Sequence, residues 1–154
     1  MKYIFAIFIA CILCFAYIGY AEDVQKTVVE GYFYPNNKEA LKGMVDKFVE
    51  DAKTDEVSGE ITTIIVPHAG YQYSGWVAGY AFKAIMNKPY NTVIVIVPSH
   101  HSAFDGLAVL DKDSYLTPLG KVTIDRDMSR QLIMFNKRIR PDIEPFTKEH
   151  AAEV

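Results

Sequence analysis

Ile61-Thr-Thr-Ile-Ile-Val-Pro-His-Ala-Gly-Tyr71 and Thr92-Val-Ile-Val-Ile-Val-Pro-Ser-His-His101 are the two stretches whose reading decides the fold. Each begins with a nearly continuous β-branched run, the composition of a strand covered on both faces. Each run stops at a proline, Pro67 or Pro98, which lacks the N–H needed to continue a ladder. Between them, Val77, Tyr80, Ala81, Ala84 and Ile85 recur at helical spacing from Gly75 to Met86, and Pro89 ends the pattern. Strand, helix and strand in this order predict a βαβ unit with parallel strands and a right-handed crossover. Loops after the carboxyl ends of neighbouring parallel strands face one crevice, where open α/β sheets bind ligands. His68, His100 and His101 lie in those loops.

Working outward, Val28 to Tyr34 is short and rich in β-branched and aromatic residues, and Pro35-Asn36-Asn37 supplies a turn and a capping oxygen. Leu41, Met44, Val45, Phe48, Val49 and Ala52 then form one apolar stripe at helical spacing. Ser58-Gly59 breaks the chain before the first β-branched run. At the other end, Pro145 to Val154 reads as the first turns of a helix with Thr147 as its cap. No repeat or low-complexity linker interrupts residues 22–154, so a single layered α/β unit is expected.

Composition narrows the function classes. The chain has 154 residues, half of them hydrophobic and 23% charged, which suits one globular domain with a real core. Its formal charge of −3, with acidic and basic residues interspersed, leaves no electrostatic footprint for DNA or RNA. Lys2 precedes an uncharged apolar stretch from Tyr3 to Ala21, with small residues at Gly19 and Ala21. Residues 1–21 therefore read as a signal peptide or, if uncleaved, a membrane anchor, and the protein as exported or membrane-anchored. Membrane contact is expected only through this segment. It contains both cysteines, Cys11 and Cys14, so a processed chain has no disulfide and depends on burial for stability.

Two imidazoles at the ends of adjacent strands, about 4.8 Å apart, suit a shared metal. Histidine is the commonest protein ligand for such ions, and two histidines with a carboxylate is the pattern of non-haem iron oxygenases. Tyr71, Tyr73 and Ser74 begin a helix whose N-terminus favours anions, and they line a pocket for an anionic or phenolic ligand or simply pack between loop and helix. Ser99 beside His100 suggests a Ser–His nucleophile pair, but adjacent loop residues rarely orient toward each other and no Gly-x-Ser-x-Gly elbow is present, so that reading is disfavoured.

Five motifs in order make the chain recognisable: Gly-Tyr-Phe-Tyr-Pro at 31–35, Val-Pro-His-Ala-Gly-Tyr-Gln-Tyr-Ser-Gly at 66–75, Val-Pro-Ser-His-His at 97–101, Thr-Pro-Leu-Gly at 117–120 with Val122 and Asp125, and Glu-His-Ala-Ala-Glu-Val at 149–154. Over residues 28–154 the chain resembles the Memo family, also called AmmeMemoRadiSam system protein B. The resemblance implies an α/β fold with a mixed or mostly parallel sheet and helices on both faces, similar to the extradiol dioxygenases of the LigB class. It implies a metal, iron with copper or zinc as alternatives, held by His68 and His100. His101 and His150 would serve as acid–base groups, with Glu149 and Glu153 behind them. Tyr71, Tyr73 and Ser99 would meet the substrate. Where the family has a serine after the Glu-His pair, this chain has Ala151. The resemblance also implies that residues 22–154 are the N-terminal part of one truncated domain, with a third ligand, often cysteine, outside this chain and apolar surface left open. Two functions follow: a metal-dependent redox enzyme, dioxygenase-like, acting on a small molecule, or a binding module for an anionic or aromatic group, peptide included.

Overall fold

The computed structural model describes residues 21–55 and 57–154, so the expected leader lies, but for Ala21, outside the described residues. Asn37 starts the first helix, α1 (Lys38–Asp51), its side chain accepting the Ala40 N–H at 2.9 Å as a short polar cap should. The apolar stripe faces inward, with Leu41, Phe48 and the following Ala52 buried. The second helix, α2 (Tyr71–Ile85), begins a turn earlier than its apolar spacing predicts. Here the backbone supplies the start: Gly70 O accepts the Tyr73 and Ser74 N–H groups, and Tyr71 N–H donates to Phe33 O.

α1 and α2 cross at closest approach over Phe48. Its ring meets Trp76 edge to face at 4.9 Å and Tyr71 at 6.2 Å. Only glycine fits opposite it: a Cβ on Gly75 would stand 2.1 Å from the Phe48 ring, and one on Gly79 would stand 2.5 Å from the Phe48 carbonyl oxygen.

The rest is a mixed set of short strands: β1 (Val24–Gln25), β2 (Leu107–Val109), β3 (Ser114–Thr117), β4 (Gly120–Thr123) and β5 (Ile139–Pro141), with α3 (Arg126–Phe135) between the last two. β1 runs parallel to β3, which pairs antiparallel with β4; β2 and β5 form a separate parallel pair. The class is α/β with mixed pairing, as expected. Asp125 caps α3 by accepting the Met128 N–H. No helix of the described residues is long and apolar enough to cross a membrane.

Three local expectations are corrected. Neither 61–66 nor 92–97 forms a ladder among the described residues. β-branched composition makes extended backbone favourable, but a doubly covered strand also needs packing on both faces, and here Ile65, Val93, Val95 and Ile96 are exposed. The runs are nevertheless tied near both ends, by the Tyr90 hydroxyl donating to Ile61 O at 2.7 Å and by the approach of His68 to His100. Val28 to Tyr34, for all its β-branched and aromatic composition, forms a turn: Gly31 takes a φ of 81°, and the Val28 and Val29 N–H groups go to the Glu153 carboxylate. Pro145 to Val154 does not start an α-helix. A 3₁₀ turn occupies Glu144–Phe146, and the Thr147 hydroxyl donates backwards to Glu144 O rather than capping forwards.

The α1–α2 crossing yields a paired prediction. Gly79→Ala should gain up to about 1 kcal/mol of helix propensity but lose more to overpacking, so its urea midpoint should fall by an amount worth about 1–2 kcal/mol. Gly43→Ala, exposed on α1 with nothing within 4 Å of the added carbon, should raise that midpoint slightly.

Candidate metal centre

Four histidines gather where the loops after 61–66 and 92–97 meet the turn at 149–151. His68 Nε2 stands 3.4 Å from His100 Nε2. The His150 ring stacks on His100, with centroids 4.8 Å apart and planes within 17°, and lies 6.1 Å from His68. His101 is exposed at the rim, its ring 6.4 Å from His150.

One buried carboxylate organises this cluster. Glu149 is among the most buried residues of the chain, yet it bears a charge. Its Oε2 accepts the His100 backbone N–H at 2.5 Å, while Oε1 accepts the His150 and Ala151 backbone N–H groups at 2.9 Å each and faces His100 Nδ1 at 2.8 Å. Burial pushes its pKa up, but these hydrogen bonds outweigh burial and bring it down to about 2. A carboxylate offers about four acceptor positions, and four N–H groups converge on this one, three on Oε1 and one on Oε2. Glu149 is thereby an orienting group for His100. It fixes the proton on Nδ1 and leaves the Nε2 lone pair turned toward His68 Nε2, 3.4 Å away.

The donor set fits a metal ion. Nitrogens bound to one first-row ion at about 2.0–2.2 Å stand about 3–3.4 Å from each other, the spacing of the two Nε2 atoms. An anchored Nδ1–H with Nε2 free is the arrangement in which carboxylate–histidine pairs hold metals. His100, Glu149 and His150 also form a group whose donor atoms lie within 4.8 Å of each other. Of these, the Glu149 oxygens are already engaged, which favours the imidazoles. The pKa of His150 is lowered, chiefly by burial and then by the neighbouring His100, His68 and His101, against the pull of Glu149. The ring is therefore neutral at pH 7.

The other residues singled out from sequence divide between cleft and scaffold. An open cleft of about 590 Å³ leads to His68 and His150, lined also by Tyr32, Phe33, Gln72 and Tyr73. Tyr73 is exposed at its mouth. Tyr71 instead packs among Tyr34 and Phe48, and its hydroxyl pKa is raised by burial and by the Glu153 charge. Ser99 closes a local turn, its hydroxyl donating to Ser102 O and accepting the Ser102 N–H. The Glu153 carboxylate turns to tyrosines: it accepts the Tyr34 hydroxyl at 2.5 Å, faces that of Tyr115 at 3.5 Å, and binds the Val28 and Val29 N–H groups, while its backbone N–H donates to His150 O at 3.0 Å. Phe33, which meets His150 edge to face at 4.9 Å, was not singled out individually. Its position in Gly-Tyr-Phe-Tyr-Pro was the available signal.

Fold and site define an α/β protein with a carboxylate-anchored histidine cluster at its loop ends. The chain belongs to the Memo-like family, whose model matches residues 25–154. It is 33% identical over 131 residues to a MEMO1 family protein of Thermoplasma volcanium, covering 85% of this chain and 48% of that one. MEMO1 family proteins of Pyrobaculum arsenaticum and Nitrosopumilus maritimus are each 34% identical, again across 85% of this chain and 49% of theirs. The chain thus spans about half the length of the curated relatives it matches.

Because folded Glu149 releases its proton more readily than its ordinary value of 4.5 allows, the unfolded chain binds more protons as the pH falls. The resulting stability is complete above about pH 4.5 and is lost toward about pH 2. Glu149→Gln should be less stable at pH 7 and should show a flatter decline over that window, as measured by urea unfolding across a pH series.

Proposed function

We propose that this chain contributes the histidine half of a non-haem metal centre in a metal-dependent redox protein acting on a small molecule, with His68 and His100 as ligands through Nε2. The observation that carries this reading is the 3.4 Å approach of the two Nε2 atoms, one of them oriented by Glu149 through Nδ1. Iron is the expected ion, with copper or zinc as alternatives, and further ligands are to come from outside the described cluster. When bound, iron or copper would supply one-electron chemistry, and zinc would act only as a Lewis acid toward a bound substrate.

The chain's own residues supply the remainder. Glu149 holds the His100 ring in one tautomer and one orientation. The neutral His150 ring is placed to accept a proton from a ligand in the cleft, and the exposed His101 to exchange one with solvent. Phe33 meets the His150 ring edge to face and lines the cleft beside it. Tyr32 and Tyr73, both exposed at the cleft, favour a second reading in which an aromatic group is bound without turnover. Among the described residues no lysine or arginine lines that cleft, so an anionic ligand has less to recommend it.

Metal analysis of the purified protein separates these readings. Stoichiometric iron, copper or zinc is expected, falling at least about tenfold in both His68→Ala and His100→Ala, while Glu149→Gln weakens affinity by about 10–100-fold. His150→Ala should keep the metal. Metal retained in both ligand variants would falsify the assignment, and its loss from His150→Ala would move that ring into the ligand set. Residues 1–21 are further proposed to direct export; N-terminal sequencing of the exported protein should begin at Glu22, and an intact Met1 on membrane-bound protein would make the segment an anchor.

A further inference from the structure

Glu153 and two phenols lie beside the histidine cluster without a part in it. Tyr34 is 5% exposed, and its hydroxyl donates to Glu153 Oε1 at 2.5 Å, a charge-assisted hydrogen bond at the short end of its range. The Val29 N–H holds the same oxygen at 2.9 Å, while the Val28 N–H and the Tyr115 hydroxyl face the other, the phenol at 3.5 Å. From Tyr34 a column of rings leads outward, with centroids 5.4 Å apart to Tyr71, 6.2 Å from there to Phe48 and 4.9 Å from Phe48 to Trp76. Trp76 is 43% exposed, with Lys47 Nζ 5.4 Å over its ring. In the other direction Tyr34 follows Phe33, whose ring meets His150 at 4.9 Å. The column therefore runs from the edge of the histidine cluster to the surface.

A phenol gives up an electron readily only if its proton leaves too, so a tyrosine that cycles through a radical needs an acceptor already bonded to its hydroxyl and shelter from water. Tyr34 has both, whereas Tyr32 and Tyr73 are exposed. We infer that Tyr34 is a redox-active tyrosine, with Glu153 as its proton acceptor and Tyr71, Phe48 and Trp76 as its electron path to the surface. In this step one electron leaves the Tyr34 ring for a one-electron oxidant, the phenolic O–H bond breaks, and the proton moves to Glu153 Oε1. A neutral phenoxyl then stands beside a neutral carboxylic acid. Return of one electron from a reductant brings the proton back and closes the cycle. Electrostatics place the oxidised state at the inner end: a hole on Trp76 puts positive charge under the Lys47 ammonium, whereas proton transfer leaves none on Tyr34. The natural oxidant is the iron or copper centre proposed above, and in that respect alone the inference rests on that reading.

The test uses the full chain freed of metal by chelation, with a photogenerated ruthenium(III) tris-bipyridine complex as oxidant and electron paramagnetic resonance as readout. Phenoxyls on exposed tyrosines such as Tyr32 and Tyr73 couple and disappear, so a persistent tyrosyl signal is expected from Tyr34. Tyr34→Phe should lose that signal, while Tyr73→Phe and Tyr115→Phe should keep it. Glu153→Gln still accepts the hydrogen bond but takes no proton, and should lose the signal with Tyr34 in place; its survival there overturns the role of Glu153. Trp76→Phe should lower the radical yield, and an unchanged yield overturns the path. A ring-fluorinated tyrosine at position 34 keeps the hydroxyl and the packing, and should add fluorine splitting to the spectrum. Absence of a persistent signal, its survival in Tyr34→Phe, or a spectrum without fluorine splitting overturns the inference. Metal analysis of the untreated protein is a separate readout: a chain that holds no iron or copper but forms the Tyr34 radical retains this inference and removes the metal reading.

Discussion

The buried carboxylate of Glu149 is the contact on which the arrangement of the site depends. A charge removed from water is tolerated only when it is hydrogen-bonded, and here four N–H groups donate to it, two from His100 and one each from His150 and Ala151. The same bonds join segments almost fifty residues apart. They fold the 149–151 turn onto the loop after Pro98, stack His150 against His100 and direct the free His100 nitrogen at His68. One side chain thus fixes chain path, tautomer and ring direction together, which separate weak contacts would not do.

Glu153 does for the surrounding frame what Glu149 does for the imidazoles. By taking the Val28 and Val29 N–H groups and the Tyr34 hydroxyl, it holds the 28–34 turn against the end of the chain. That turn carries Phe33, which touches His150 and whose carbonyl receives the first N–H of α2. Burial and the adjacent carboxylate raise the Tyr34 and Tyr115 phenol pKa values, so both phenols stay protonated as donors. Glycine completes the frame at α1–α2, where Gly75 and Gly79 let α2 close on Phe48 and so set the direction of the loop holding His68. These supports hold the elements around the cluster, while the Glu149 hydrogen bonds hold the cluster itself.

The gathering of the histidines was more legible than the sheet. Pro-His at 67–68 and Pro-Ser-His-His at 98–101 announce themselves because a proline stops a β-branched run directly before a titratable ring. The Glu-His pair at 149–150 was visible only as part of a collinear family pattern, since a carboxylate beside a histidine has no periodicity. That Glu149 reaches back to His100 whereas Glu153 turns to tyrosines could not be read from their shared position at the end of the chain. The expected strands failed for a related reason. Composition at 61–66 and 92–97 reports a backbone preference, but a ladder exists only when a neighbour presents donors and acceptors in register.

From sequence alone came the local terms: the Asn37 cap and apolar stripe of α1, the helix after Gly70, the prolines that end the two runs, and the histidines placed just beyond them. These are decided by steric and periodic rules acting within a few residues. Tertiary structure alone decided that Val28 to Tyr34 turns, that Thr147 does not cap a helix, that Tyr71 is buried while Tyr73 is exposed, and that His150 joins the cluster. Each of these depends on where a polar group finds its partner across the fold, through Glu149 or Glu153 in most cases. A buried charge must be satisfied by whichever segment can reach it, and only three-dimensional packing determines which one does.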